Sequence, residues 1–307
     1  MVAFCGLGRM GAQMAGRVAD AGYDLRVWNR SEPAVTSFLQ AHTGRSVATP
    51  REAADGADVV ITMLANGEAV LSVLDGPDGV LAGLHTGAVV VDCSTTGAEL
   101  ARTAHTLCAR AGVGFLDSPV SGSTVVAARG QLGLMVGGDP DDIARVEAVL
   151  RCFGGSLVHV GPPGSGAAAK VAVNALLHTF NTALAECLVT AEAQGVARPM
   201  LFSVLANSVL WNTFLDYKRE AYVNPDDVAV AFDLATAEKD LGLAVAAVND
   251  AGLGHSLIEC VRDIHHQAVS DGYGARDMSA LASWFGSTST SSPTRATAGH
   301  PTDSRKD

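Results

Sequence analysis

Aromatic side chains make up only 5% of the 307 residues, and no two cysteines share Cys-x-x-Cys spacing. So few rings fit an αβ chain with tight turns better than an aromatic-laced sandwich. The six cysteines (Cys5, Cys93, Cys108, Cys152, Cys187, Cys260) are scattered, which excludes a zinc ribbon or a disulfide scaffold. Reduced thiols in a cytoplasmic protein are expected. Basic residues are the minority, 21 against 32 acidic ones, for a formal charge of −11. Such a chain repels phosphate backbones, so nucleic acid is not an expected partner. No uninterrupted apolar run approaches the roughly 20 residues of a membrane span. The most apolar stretch, Ala167–Gln194, is broken by Lys170, Asn174, His178, Asn181, Glu186 and Glu192. No basic segment precedes the apolar run Val2–Cys5, so no signal peptide is expected. No metal is expected either. His265-His266 lacks a third ligand at helical spacing and reads as a surface pair, and His105 with Cys108 supplies too few ligands.

Against these scarcities stand 48% hydrophobic residues and 33 glycines. That supplies a large core and suits two domains. Val2–Cys5, Leu25–Trp28, Val59–Leu64, Val89–Asp92, Phe115–Asp117, Leu132–Val136 and Leu157–Val160 read as strands. Arg9–Ala21 and Asp141–Arg151 read as helices between them. The continuous apolar runs suit parallel strands covered on both faces, and the alternation predicts a Rossmann-type, doubly wound parallel sheet. The segment Gly161-Pro162-Pro163-Gly164-Ser165-Gly166 then punctuates the chain, and helical periods take over. Expected domains are 1–161 (dinucleotide-binding), 162–286 (all-helical) and a disordered tail, 287–307, rich in Ser, Thr, Pro and Gly. Helices are expected at Gly166–Gln194, Pro199–Asn207, Phe214–Glu220, Leu234–Ala251 and Leu257–Asp271. The first is apolar nearly all round, so it should be buried between domains or subunits. Asp216 and Lys218 read as surface residues. Trp211 and Phe214 either border the substrate or pack between helices.

Gly6-Leu7-Gly8-Arg9-Met10-Gly11 is a G-x-G-x-x-G between the first strand and the first helix. In that context the glycines permit a tight turn, close approach of a pyrophosphate, and close helix–strand packing. The helix N-terminus offers N–H groups to the anion. An acidic residue at the end of the second strand would bind the 2′-hydroxyl of NAD. This chain has Asn29-Arg30-Ser31 there, a cation flanked by uncharged donors. NADP(H) is therefore the expected cofactor.

With the glycine loop in view, Gly6 to Ala15 resembles the opening fingerprint of the β-hydroxyacid dehydrogenases. Asp92-Cys93-Ser94-Thr95-Thr96, Asp117 to Ser123, Gly164 to Asn174 and Lys239 to Ala244 resemble further signatures of that family, in order. The resemblance covers about residues 1–285. It implies that Lys170 is catalytic with Asn174 as its neighbour. It implies that Ser121 and Gly122 hold a substrate carboxylate, with Ser123, where the family commonly has glycine, also in the substrate pocket. Thr95 would lie near nicotinamide and substrate, Met63 and Leu64 on the cofactor, and Lys239 over it. Phe232 and Asp240 match substrate-pocket positions. A second departure is Ala65, where the family often has proline. Homodimers or homotetramers formed through the helical domain are implied as well.

Independently of the resemblance, Lys170 and Asn174 are i, i+4 on one helix face, and His178 and Asn181 continue the stripe. A lysine on an otherwise apolar helix is costly unless paired or functional. Desolvation lowers its pKa, which suits proton transfer to an alcohol oxygen. The expected activity is NADPH-dependent reduction of a carboxylate-bearing aldehyde, or the reverse oxidation of a hydroxyacid. The alternatives are an imine reductase, which usually replaces this lysine, and a non-catalytic NADPH-binding scaffold, which needs only the glycine loop and Arg30.

Overall fold

A computed structural model describes residues 1–225 and 229–289. The sheet begins with β1 (Val2–Cys5), α1 (Arg9–Asp20), β2 (Leu25–Trp28), α2 (Glu32–Ala41), β3 (Arg45–Ser46), α3 (Pro50–Ala54) and β4 (Val59–Thr62). It continues through α4 (Gly67–Leu74), β5 (Val89–Asp92), α5 (Ala98–Arg110), β6 (Gly114–Asp117), β7 (Val120–Ser121), α6 (Thr124–Ala128), β8 (Leu132–Gly137), α7 (Pro140–Leu150) and β9 (Gly154–Gly161). Helices follow: α8 (Ser165–Ala193), α9 (Arg198–Ala206), α10 (Thr213–Val223), α11 (Leu234–Asp250), α12 (Leu257–Ala268) and α13 (Leu281–Ser289).

Strands pair in the order β3-β2-β1-β4-β5-β6, all parallel, as the alternating pattern predicts. Successive side chains serve opposite faces. Val2, Phe4, Ile61, Val89, Val91 and Leu116 join one buried cluster with Met14 and Val18 of α1. Ala3, Cys5, Val60, Val90 and Phe115 join the other with Val70, Leu74 and Ala104. Cover on both faces is why these strands read as unbroken apolar runs. Burial pushes the Cys5 and Cys108 thiols up to about 12, so both are inert.

Beyond β6 the sheet is not all parallel, a feature the apolar pattern did not reveal. β8 runs antiparallel to β6 and β7, and β9 pairs parallel with β8. The short return through β7 and α6 needs no long crossover. β4 stops at Thr62 rather than Leu64. Met63 still donates to the Cys5 carbonyl at 3.0 Å, but the chain then turns toward Ser94.

By compactness the chain divides into Met1–Thr179 with Glu238–Arg262, and Phe180–Ala237 with the remainder from Asp263. Long helices therefore belong partly to each unit, and the change of secondary structure near 161 is not the limit of compactness. The final helix α13 runs to Ser289, so 287–289 are helical; the rest of the expected tail lies outside the described residues.

Two surface expectations are corrected in the second unit. Lys218 is 2% exposed, because its ammonium meets both Asp277 carboxylate oxygens at 2.7 and 2.9 Å. His265 is fully buried, its Nε2 3.1 Å from the Thr182 hydroxyl, while His266 is exposed. Helical periodicity places a residue on a face, but tertiary packing decides whether that face meets water. Phe214 sits edge-on to Phe180 with ring centroids 5.8 Å apart, the packing alternative of the two considered for it.

Asp277 also accepts from the Ala231, Phe232 and Ser279 amides. Lys218 and these donors hold its carboxyl below the usual value despite burial. Lys218→Met should cost about 3–5 kcal/mol in denaturant unfolding, because it leaves a buried carboxylate unpaired. The stabilisation should be complete above the unfolded carboxylate pKa of about 3.9 and be lost as pH falls through the lower folded value.

Candidate active site

The first part of the site lies where strand order reverses, between β1 and β4, at the carboxyl ends of the strands. Gly6 has φ +109°, and a Cβ there would strike the Met63 carbonyl. A Cβ on Gly11 would strike the Gly6 carbonyl oxygen, so helix and strand touch through this glycine. Gly8 faces open space instead, and as N-cap of α1 it provides no side-chain cap. The first N–H groups of the helix are thus available to an anion. This cradle fits a dinucleotide pyrophosphate.

Leu7 and Met10 pack into the core and serve the loop through their backbone, whereas Arg9 is exposed. Asn29 accepts from the Leu7 amide at 2.9 Å and donates to the Ser31 carbonyl at 3.0 Å. It ties the loop to the end of β2. Arg30 is exposed and forms no salt bridge among the described residues. Ser31 caps α2 without a side-chain bond, which leaves its hydroxyl available.

Two carboxylates given no role in the sequence reading position the surrounding loops. Asp92 ends β5 and accepts from the Thr62 hydroxyl at 2.7 Å and the Ser94 hydroxyl at 2.6 Å. Ser94 in turn accepts from the Leu64 amide at 2.9 Å, which anchors the Met63-Leu64 turn. Asp117 accepts from the Gly164 and Ala167 amides at 2.8 and 2.7 Å, holding the first turn of α8. Burial pushes both carboxyls up, and their hydrogen bonds oppose it. Their one signal in the sequence is an acidic residue ending an apolar strand with no basic neighbour.

From that anchored turn α8 presents Lys170, then Asn174, toward Asp240 of α11. Asn174 is 2% exposed and donates to Asp240 Oδ2 at 2.6 Å. Lys239 Nζ lies 3.1 Å from Asp240 Oδ1, and donates to the Ala65 and Thr95 carbonyls at 3.4 and 3.3 Å. It joins the β4 loop, the β5 loop and α11. Burial pushes the half-buried Lys170 ammonium below its ordinary value; Asp240 opposes this and Lys239 adds to it. A cation that gives up its proton readily, set beside an ionised carboxylate, is equipped for acid–base work.

Ser121, which ends β7, and Gly122 after it are exposed. Gly122 has φ +138°, and a Cβ there would press on Leu132 and Val126 at 2.8 and 2.9 Å. The Ser123 hydroxyl accepts from the Val126 amide at 3.4 Å, so it caps α6, and its O–H can still donate. Phe232 lies in the second compact unit, where its carbonyl accepts from the Met278 amide at 2.8 Å. Among the described residues no cluster of three metal-ligating side chains occurs, and no helix is long and apolar enough to cross a membrane.

Two family models match. The NAD binding domain of 6-phosphogluconate dehydrogenase covers residues 1–161. The NAD-binding domain of NADP-dependent 3-hydroxyisobutyrate dehydrogenase covers 164–285. The NAD-dependent L-serine dehydrogenase of Pseudomonas aeruginosa is 33% identical across 92% of this chain and 97% of its own. The 3-sulfolactaldehyde reductase of Escherichia coli is 32% identical across 91% and 94%. The solved 3-hydroxyisobutyrate dehydrogenase of Mycobacterium tuberculosis with L-serine matches with a TM-score of 0.84 at 33% identity, over 92% and 98% of the two chains. Imine reductase structures share the fold alone, at 18% identity. The chain belongs to the β-hydroxyacid dehydrogenase family. It is an oxidoreductase with NAD(P)-binding domains, and its relatives act on CH–OH groups.

Proposed function

We propose that this chain reduces a carboxylate-bearing aldehyde with NADPH, or runs the reverse oxidation. The observation that carries this reading is the buried Asn174–Asp240 pair, whose charge acts on the half-buried Lys170, closed by Lys239 over the β4 and β5 loops. The nicotinamide supplies hydride when bound. Gly6, Gly8 and Gly11 cradle the pyrophosphate, and Arg30 with Ser31 takes the 2′-phosphate. The Ser121 hydroxyl and the Gly122 N–H hold the substrate carboxylate. Lys170 Nζ delivers a proton to the nascent alkoxide oxygen, and Asn174 orients the reacting groups. Thr95 lines the substrate region.

Names of relatives support the substrate class. An L-serine dehydrogenase and a hydroxyisobutyrate dehydrogenase that holds L-serine both handle a primary alcohol near a carboxylate. The imine-reductase reading has only fold likeness behind it and leaves Lys170 without a task. A scaffold reading leaves the same residues unexplained. We place the protein in the cytoplasm as a homodimer or homotetramer. Val173 and Leu176 of α8 are exposed, 45% and 73%, beside an apolar groove of about 580 Å³ lined by Val171, Ala175 and Leu243. Covering such a surface favours association.

The test is turnover of a semialdehyde panel against a cyclic-imine panel, followed by NADPH absorbance. Semialdehydes should be reduced and imines should not. Turnover of imines alone would overturn the reading, and binding of NADPH with no turnover of either panel would leave the scaffold.

A further inference from the structure

Lys170, Asn174 and His178 follow one another along α8 at i, i+4 and i+8. The two turnward neighbours converge on a single oxygen. Asn174 Nδ2 is 2.6 Å from Asp240 Oδ2, and His178 Nε2 stands 4.0 Å from the same atom. The other oxygen, Oδ1, is 3.1 Å from Lys239 Nζ. These two basic groups are unequal. The Lys239 side chain is 34% exposed, so water screens its attraction. His178 is wholly buried and acts in a medium of low dielectric. Burying an imidazole here costs free energy that an apolar side chain would not, unless a polar partner offsets it.

We propose that His178 is a positioning residue for the proton donor. Its ring N–H keeps the Asp240 carboxylate ionised and turned toward α8, and Asp240 in turn sets how firmly Lys170 keeps its proton. This deepens the acid role given to Lys170 and rests on that reading. Burial alone would push the Asp240 carboxyl up, yet His178 and Lys239 hold it below its usual value. Asp240 is also the group that opposes the loss of the Lys170 proton. The charged and titratable groups acting on this pair are Lys170 and His178 from α8 and Lys239 and Asp240 from α11. The gap of 4.0 Å is longer than a hydrogen bond, and catalytic contacts of this kind often tighten only when ligands bind.

Three variants test the idea: His178→Leu removes the donor, His178→Gln keeps an N–H of similar reach, and His178→Asn keeps an N–H that falls short. Two measurements apply to each. One is the pH profile of kcat/KM with the best aldehyde. The other is competitive acetylation of Lys170 in cofactor-free protein, read by mass spectrometry across pH. In His178→Leu and His178→Asn the acid-side decline should begin at higher pH, with roughly tenfold loss there, the factor carried by one hydrogen bond to a buried charge. In both, Lys170 should become reactive at lower pH, because the Asp240 carboxylate is no longer held turned toward α8. His178→Gln should track the parent protein in both readouts. The idea is overturned if folded His178→Leu matches the parent in profile and labelling. Should His178→Leu not fold, indistinguishable Gln and Asn variants overturn it equally. Failure of the underlying acid role has a different signature: Lys170→Ala would retain its turnover while Lys170 labelling still responded to residue 178.

Discussion

Lys170→Ala is expected to lower kcat by roughly 10²–10⁴-fold, the contribution of a placed general acid. NADPH should still bind, because the cradle at Gly6, Gly8 and Gly11 is built from β1, α1 and the β4 loop. Lys170→Arg should rescue little, since a guanidinium with pKa above about 12 gives up its proton too reluctantly. Asn174→Ala should be milder if Asn174 only orients. The pH dependence carries a sign. Burial pushes the Lys170 ammonium below its ordinary value, and reduction needs the protonated form. Reduction should therefore decline as pH rises through that lowered value, while oxidation of the hydroxyacid rises through it. Steady-state kinetics in both directions, beside fluorescence titration of NADPH, check each point. A Lys170→Ala protein with near-normal kcat would remove the acid role and bring the imine-reductase reading forward.

Arg30→Ala carries the second large effect. A charge-assisted contact is worth about 1.5–3 kcal/mol, or about 10–150-fold in affinity. NADPH binding should weaken by that factor, and NADH binding should barely change. The structure leaves Arg30 exposed and out of any salt bridge among the described residues, so its removal disturbs little else. Asn29 would be a poor choice for this experiment. Its side chain bridges the Leu7 amide and the Ser31 carbonyl, so replacing it would loosen the loop for both cofactors. Equal losses of NADPH and NADH in Arg30→Ala would refute the preference. One of the relatives is named an NAD-dependent enzyme, so the experiment decides a property on which the family itself varies.

Much of the site was legible because its parts are local. The glycine loop sits within six residues between a strand and a helix, and Asn29-Arg30-Ser31 follows the next strand directly. Lys170 and Asn174 share a face because one helical turn separates them. Ser123 has a structural task that is local too. Three residues before Val126 it is placed to cap α6, and that signal was present in the spacing.

The pairings that escaped notice act over long separations. Asp117 holds the amides of Gly164 and Ala167. Lys218 finds Asp277, and His178 finds Asp240. No periodicity encodes such partners.

What the chain determined by itself was the succession of elements: apolar runs covered on both faces, glycine at the turn, and helical stripes after residue 161. These follow from side-chain period and backbone sterics, which act between near neighbours. Tertiary structure alone decided which buried polar groups meet. A buried carboxylate or ammonium is tolerated only beside a partner, and that partner is supplied by whichever distant segment the packed core brings within about 3 Å. Asp240 is the plainest case. In the sequence it is one acidic residue beside Lys239, and only the packing of α11 against α8 gathers Asn174, His178 and Lys170 around it.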